Sequence, residues 1–314
     1  MLRHMAEALH IRLSGVPRSP SRAGRRRPTL GVMTRPDGPL VSAEHLLRDL
    51  DSDPTLVVLD VSWRLGEDSL RGEYDREHVP GAAWVEFEEA LSGEPGEGGR
   101  HPMPDTETFA EAMRVAGVDN DERVVVYDRD SGLSAARLWW LLTYAGHEAV
   151  QVLDGGLRRW RALGYPVDDE PVTPERGDFV ATPPHREVLD AEGAAEYADQ
   201  HLLLDARPGD RFRGQNETID PVAGHIPGAV SAPALANLDD DGRFLTADDL
   251  AMHLTRLGVR PGTKVGVYCG SGVQAMHAAL ALEASQIGVQ PAVYVGSWSE
   301  WITDPDRPVE NPSG

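Results

Sequence analysis

The amino-acid sequence predicts an α/β fold built twice in tandem, each domain a mainly parallel sheet flanked by helices. Three observations predict it. The second half of the chain echoes the first at a nearly constant offset. Each half alternates short apolar strands with helices, the pattern of an α/β sheet with right-handed crossovers. The strands, such as Val124–Tyr127 and Val265–Tyr268, are unbroken apolar runs, which suits parallel strands covered on both faces.

The echo is carried by four pairs of segments. LVVLDVSWR (56–64) matches LLLDARPGD (202–210), each an apolar strand ending in an aspartate, Asp60 and Asp205. HVPGA (78–82) matches HIPGA (225–229), VVVYDRDSGLSAARLWWLL (124–142) matches VGVYCGSGVQAMHAALALE (265–283), and LDGGLRRW (153–160) matches YVGSWSEW (294–301). The offsets are 145, 147, 141 and 141 residues, in one order. A period this long marks a duplicated domain rather than a solenoid, and 314 residues suit two domains better than one. Each half reads as strand, loop, His-x-Pro-Gly turn, helix, second strand, glycine-rich turn, long helix and short strand.

The expected boundaries are a tail at 1–38, a first domain at 39–165, a linker at 166–184, a second domain at 185–308 and a tail at 309–314. The stretch 165–185 holds five prolines and no periodic apolar face, so it reads as extended, stiff chain wrapping between the domains. Residues 1–35 hold eight arginines and one acid, Glu7, without the apolar core of a secretory signal. They read as a disordered tail or as the product of a start codon upstream of Met33, with an Arg-rich transit peptide as the other reading.

A formal net charge of −21 argues against nucleic acid or an anionic membrane as partner, and no run of 18 apolar residues suggests a membrane span. A small anionic substrate stays open, because one site can be positive on an acidic protein. A single cysteine allows no intrachain disulfide and no Cys–Cys metal motif, and the eleven histidines show no HExxH spacing. Neither metal nor organic cofactor is implied, and cytoplasmic placement is the expectation.

That one cysteine, Cys269, ends a strand and opens Cys269-Gly270-Ser271-Gly272 ahead of a helix from about Val273. Gly270 and Gly272 let the backbone curl, because glycine tolerates positive φ. A tight turn before a helix aims amides inward, and the helix start adds partial positive charge. Such a cradle favours the thiolate, which is the nucleophilic form. Domain one carries Asp128 at the matching position, with Arg129 and Asp130 behind it, as in a duplicated fold with one active and one inactive copy. A buried structural cysteine is the competing reading.

With HVPGA, YDRDSGLSAARLWW, LDGGLRRW, LDARPGDRFRG, GHIPGA, YCGSGVQA and GSWSEW taken together, the chain resembles the two-domain rhodanese superfamily over about residues 39–308. The resemblance implies a catalytic C-terminal domain, a non-catalytic N-terminal domain that helps shape the cleft, and a persulfide on Cys269. In that family, thiosulfate-type loops resemble C-R-K-G-V-T and mercaptopyruvate-type loops resemble C-G-[ST]-G-V-T. Here Gly270, Ser271, Gly272, Val273 and Gln274 supply no cation and one hydroxyl, which favours 3-mercaptopyruvate; Gln274 stands in place of the usual threonine.

The resemblance also implies a carboxylate-binding arginine at Arg211, with Arg207 and Arg213 as further candidates, although Arg207 can equally pair with Asp205. A second substrate arginine is implied nine residues after Arg211, where this chain has Asp220; that keeps thiosulfate open. A Ser–His–Asp relay maps to Ser271, His78 and Asp68, against the plainer reading of His78 and His225 as turn histidines bonded to backbone. Trp139, Trp140, Trp298 and Trp301 read as packing, Asp60 and Asp205 as caps of strand-end loops, and NLDDDG (237–242) as a solvated turn.

The expected function is transfer of sulfane sulfur from 3-mercaptopyruvate through a Cys269 persulfide to a thiol, thioredoxin among them, or to cyanide. Thiosulfate as donor is the alternative, and a non-catalytic binding module a further one. A cysteine phosphatase on the same scaffold needs C-x5-R, and Ala275 stands where that arginine belongs.

Overall fold

The computed structural model describes residues 38–311; of the expected tails at 1–38 and 309–314, residues 1–37 and 312–314 lie outside the described residues. The first half runs β1 (Leu40–Val41), α1 (Ala43–Ser52), β2 (Val57–Asp60), α2 (Arg71–Tyr74), β3 (Ala83–Trp84), α3 (Phe87–Leu91), α4 (Thr106–Val115), β4 (Val124–Tyr127), α5 (Leu133–Tyr144), β5 (Val150–Leu153) and α6 (Gly156–Ala162). The second runs β6 (Val188–Leu189), α7 (Ala191–Gln200), β7 (Leu202–Asp205), α8 (Gly209–Phe212), β8 (Val230–Ser231), a 3-10 turn at Ala234–Asn237, α9 (Ala247–Arg256), β9 (Val265–Tyr268), α10 (Val273–Ala284), β10 (Ala292–Tyr294) and α11 (Ser297–Trp301).

Each half forms a five-stranded, wholly parallel sheet. The orders are β1-β5-β4-β2-β3 and β6-β10-β9-β7-β8, the same topology twice, as the sequence echo requires. The register repeats as well: Asp60 lies beside Tyr127 in one sheet, and Asp205 beside Tyr268 in the other. Asp128 and Cys269 therefore leave equivalent central strands at the C-terminal edge of each sheet, the edge where parallel α/β sheets place their ligands.

The helices divide into two kinds, and the division follows their caps. The ten-residue helices α1, α4, α7 and α9 begin on Ser42, Asp105, Asp190 and Thr246, whose side chains accept first-turn amides. Each buries one apolar stripe and leaves the other face to solvent. The twelve-residue helices α5 and α10 begin instead on Gly132 and Gly272, at φ of 80° and 85°, N-cap residues with no side chain to offer. Both are buried nearly all round, and they pack against each other between the halves. One apolar core, including Trp139, Trp140, Met276 and Leu280, is thereby shared across the two repeats.

The proline-rich stretch lies along the first half. Its backbone bonds Val118, Ala145 and Tyr144, and Phe179 is fully buried as its anchor. Near its start, Asp168 exchanges two backbone bonds with His78, at 2.9 Å each. Glu310, in the expected C-terminal tail, makes the same pair of bonds to His225, so the repeat extends into both connecting segments.

The halves also meet through polar groups. Asp154 accepts the amide of Phe244 across the interface at 2.8 Å. Burial pushes its carboxyl up to about 6, against the opposing pull of the Phe244 amide and Arg243. A carboxyl whose folded value lies above its unfolded value near 3.9 weakens the fold as pH rises from about 4 to about 6, and does so fully above that. The penalty is at most about 3 kcal/mol. Asp154→Asn keeps an acceptor for Phe244 and removes the charge. We expect it to raise the melting temperature at pH 8 and leave it nearly unchanged at pH 4; equal shifts at both pH values would contradict the assignment.

Candidate active site

Cys269 follows β9 directly. Its side chain is buried, 1% exposed, yet it borders a cavity of about 360 Å³ between the halves. The amide of Gly272 donates to Sγ at 3.1 Å. Gly272 holds φ at 85°, and a Cβ there would meet Val295 O at 2.6 Å, so only glycine fits the turn that aims this amide. The amide of Cys269 itself donates to Ser297 Oγ at 3.0 Å. Ser297 sits at φ 56°, where the first half has Gly156 at the same φ. Its hydroxyl donates to Tyr294 O at 2.8 Å, which outweighs its 4.0 Å approach to Sγ.

The matching loop of the first half shows why it carries no sulfur. Asp128 Oδ1 accepts the amides of Asp130 and Gly132, and Oδ2 accepts those of Ser134 and Ala135. The nest is filled by a carboxylate of the chain itself. The two loops face one cavity, lined by Ser62, Trp63, Leu70, Asp128 and Leu133 from one half and by Arg211, Ile219 and Cys269 to Ser271 from the other.

The loop 92–105 of the first half reaches over the cysteine loop. A turn closed by reciprocal bonds between Gly96 and Gly99 leads to Arg100, whose amide donates to Ser299 Oγ at 3.1 Å. His101 comes next in the chain, with Nδ1 2.8 Å from Ser271 Oγ and Nε2 3.4 Å from Glu88 Oε1. A proton on Nε2, facing the carboxylate, leaves Nδ1 to accept the serine hydroxyl. Burial, with help from Arg137 and Arg100, pushes the imidazole down to about 4. Those effects outweigh the half-exposed Glu88, so His101 is neutral at pH 7 and the pair with Glu88 is not an ion pair.

Arg137, on α5, holds this loop. It is fully buried; Nε donates to Leu91 O, and Nη2 donates to the carbonyls of His101 and Pro102 at 2.9 and 3.0 Å. Burial lowers it to about 10, against the pull of nearby Cys269, so it stays charged at pH 7. Among the described residues its buried Nη1 has no hydrogen-bond partner, and it points at the turn glycine: a Cβ on Gly272 would lie 3.0 Å away.

Of the residues singled out from sequence, Cys269, Gly270, Ser271, Val273, Gln274 and Arg211 all border the cavity, and Gly272 holds the sulfur from behind. His78 does not join them. Its ring stacks on Tyr74 and Nδ1 bonds Tyr74 O at 2.8 Å, and its backbone pairs with Asp168. His225 repeats that arrangement on Phe212. Both are turn histidines, and His101 is the histidine beside Ser271. Asp68 is exposed on a surface loop, and the carboxylate that faces His101 is that of Glu88.

Arg207 is also corrected. It is fully buried, bonds both oxygens of Asp205 and the carbonyl of Gly224, and lies over the Trp298 ring, outside the cavity. Arg213 turns away toward Gln215. Arg211 reaches the cavity but is already paired, with Glu217 at 2.9 Å and Asp220 at 2.8 Å. The turn at 237–242 is more than solvated acid, for it carries Arg243 and Phe244 onto the first half.

Arg100 and His101 are not legible in the sequence by pattern, because their loop has no apolar period and no strand–helix signature, and Glu88 is one of two adjacent acids on the short helix α3. A signal was present. Gly99-Arg100-His101 matches Gly242-Arg243-Phe244 at an offset of 143, a fifth echo within the range of the other four. Each half lays its Gly-Arg-x loop on the strand–helix loop of the other. Histidine meets the cysteine loop; Phe244 lies against Gly132 of the aspartate loop.

Comparison with known proteins agrees with this geometry. The rhodanese-like domain model matches twice, at residues 42–163 and 184–304. The chain is 40% identical over 276 residues to a putative thiosulfate sulfurtransferase, SseB, of Mycobacterium tuberculosis, covering 86% of this chain and 96% of that one. It is 42% identical over 277 residues to a probable 3-mercaptopyruvate sulfurtransferase of Pseudomonas aeruginosa, covering 86% and 97%. The crystal structure of SseA from Escherichia coli, a 3-mercaptopyruvate sulfotransferase, superposes with a TM-score of 0.74 at 32% identity, over 84% of this chain and all of that one. With two matched domains, two sheets of one topology and a cysteine at the head of α10 in the second, the chain belongs to the rhodanese-like family.

Proposed function

We propose that this protein is a sulfurtransferase that takes sulfane sulfur from 3-mercaptopyruvate onto Cys269 and passes it to a thiol or to cyanide. The observation that carries the choice of donor is the 2.8 Å contact between Ser271 Oγ and His101 Nδ1 beside the sulfur. The Cys269 thiolate attacks the donor sulfur and the C–S bond breaks, its electron pair passing to C3 as the enolate of pyruvate. The proton leaving the donor's thiol ends on C3, so the net change is 3-mercaptopyruvate to pyruvate and thiolate to persulfide anion. A hydroxyl bonded to a neutral imidazole suits that proton movement. With thiosulfate, the attack on the outer sulfur expels sulfite and no proton moves.

The persulfide anion that remains faces the Gly272 amide at the uncapped start of α10. The amides of Gly270 and Ser271 donate to no protein acceptor among the described residues, which leaves them for that anion. A thiol, thioredoxin among the candidates, or cyanide then removes the outer sulfur in a second displacement. In this reading residues 185–308 carry the sulfur, and residues 39–165 supply His101, Glu88 and one wall of the cleft. Among the described residues no helix is long and apolar enough to cross a membrane. A lone reduced cysteine suits the cytoplasm.

Thiosulfate remains the second reading on one observation: Arg100 and Arg211 both border the cavity and supply cations that the loop itself lacks.

Cys269→Ser is expected to abolish turnover while leaving the melting temperature within a few degrees. Wild-type protein incubated with donor should gain the mass of one sulfur atom, and the variant none. Residual turnover of the variant would remove the mechanism. His101→Gln separates the donors. It should lower kcat for 3-mercaptopyruvate by roughly 10²-fold or more, the ordinary worth of a placed proton-transfer group, with thiosulfate turnover within a few-fold of wild type. Equal losses on both donors would reduce His101 to a packing residue.

A further inference from the structure

We infer that Arg100 and Asp220 together set the protein's selectivity for the charged end of its sulfur donor. Arg100 is a cation lent by the N-terminal half, and Asp220 is a built-in carboxylate that the donor's anionic end displaces. The inference deepens the sulfurtransferase reading and rests on it.

Asp220, with a side chain 1% exposed, lies between two guanidinium groups from opposite halves of the chain. Arg211 Nη2 donates to Oδ2 at 2.8 Å, and Arg100 turns both terminal nitrogens toward the same carboxylate. Both guanidinium groups press on the cysteine loop. A Cβ on Gly270 would lie 3.1 Å from Arg100 Nη2 and 3.6 Å from Arg211 Nη1. Asp220 thus occupies a fork of two arginines next to the reactive sulfur, the geometry that recognises a planar two-oxygen anion.

The charges of the cluster balance. Arg100 and Arg211 bring two positive charges, and Asp220 and Glu217 bring two negative ones, so the closed cluster is neutral. An arriving carboxylate gains an arginine pair only as Asp220 gives it up. Arg100 is suited to exchange partners. Its side chain is 27% exposed, it sits directly after the Gly96–Gly99 turn, and its buried Nε has no hydrogen-bond partner among the described residues. Asp220 is tethered through its own amide, which donates to Glu217 Oε1 at 3.0 Å, so its carboxylate can swing while the chain stays in place.

If both residues served only to hold the halves together, removing either would weaken the site in the same direction. Competition predicts opposite directions. Asp220→Asn keeps the shape and drops the charge; it should tighten pyruvate binding, read by calorimetry, and lower KM for 3-mercaptopyruvate, each by about ten-fold for about 1.4 kcal/mol. Arg100→Gln should weaken both by a similar factor. Neither should alter KM for the uncharged donor 1-mercaptopropan-2-one by more than about two-fold, since that donor has no anion to present.

Should Asp220→Asn not fold, the charge-exchanged pair Arg100→Asp with Asp220→Arg takes its place; it keeps an arginine at the fork and should bind pyruvate more tightly than Arg100→Gln does. Weaker pyruvate binding in both single variants, or equal effects on the charged and uncharged donors, would overturn the inference. Pyruvate binding needs no sulfur transfer. A protein that binds pyruvate as described but transfers no sulfur would refute the functional reading alone.

Discussion

The hydrogen bond from the Gly272 amide to Cys269 Sγ depends on a helix left without a cap, and most of the molecule is arranged around that omission. A twelve-residue helix with free amides at its start is unfavourable unless an anion satisfies them. In the first repeat Asp128 does so permanently. In the second the group at that place is the Cys269 sulfur, which takes one amide and, in the proposed reaction, holds the transferred sulfur. The same backbone solution serves a sealed structural copy and an open chemical one, and the side chain at the strand end decides between them.

Duplication also explains how the open copy obtains partners it does not encode locally. The two repeats pack α5 against α10 and exchange Gly-Arg-x loops, so each strand–helix loop is roofed by the other half. His101 and Arg100 reach the cysteine loop this way, with the His101 carbonyl held by Arg137, a buried cation on the first half's own long helix. The half that carries Asp128 in place of a cysteine therefore has a reason to be rigid. The alignment of Ser271 with His101 is only as good as the apolar interface that carries it, and a shift of about 1 Å in such placement can weaken catalysis 100-fold.

The electrostatics of the cleft are set locally, against the grain of the whole chain. A protein with a formal net charge of −21 gathers Arg100, Arg137 and Arg211 around one thiol, and offsets two of them with Asp220 and Glu217. Low dielectric strengthens each of these contacts and makes each unpaired atom costly. His101 is accordingly neutral, which suits a group that relays a proton rather than one that pairs with an anion.

Periodicity determined the fold from sequence alone. The apolar strands, the glycine turns and a repeat of about 145 residues fix two parallel sheets of one topology, because local pattern dictates which faces must be buried. The cysteine and its loop at the cavity were legible for the same reason: strand end, Gly-rich turn and helix start are contiguous in the chain. The partners of that loop were not. His78 looked suitable because its motif is strong, yet that motif serves a backbone turn, while His101 sits in an aperiodic loop 170 residues from Ser271. Arg207 looked like a substrate ligand, but burial ties it to Asp205, two residues away; Asp220 looked like a lost arginine, but Arg100 from the other half lies against it. Contacts between distant segments are chosen by how two apolar surfaces dock, and a one-dimensional pattern carries that information only where a repeat happens to mark both sides.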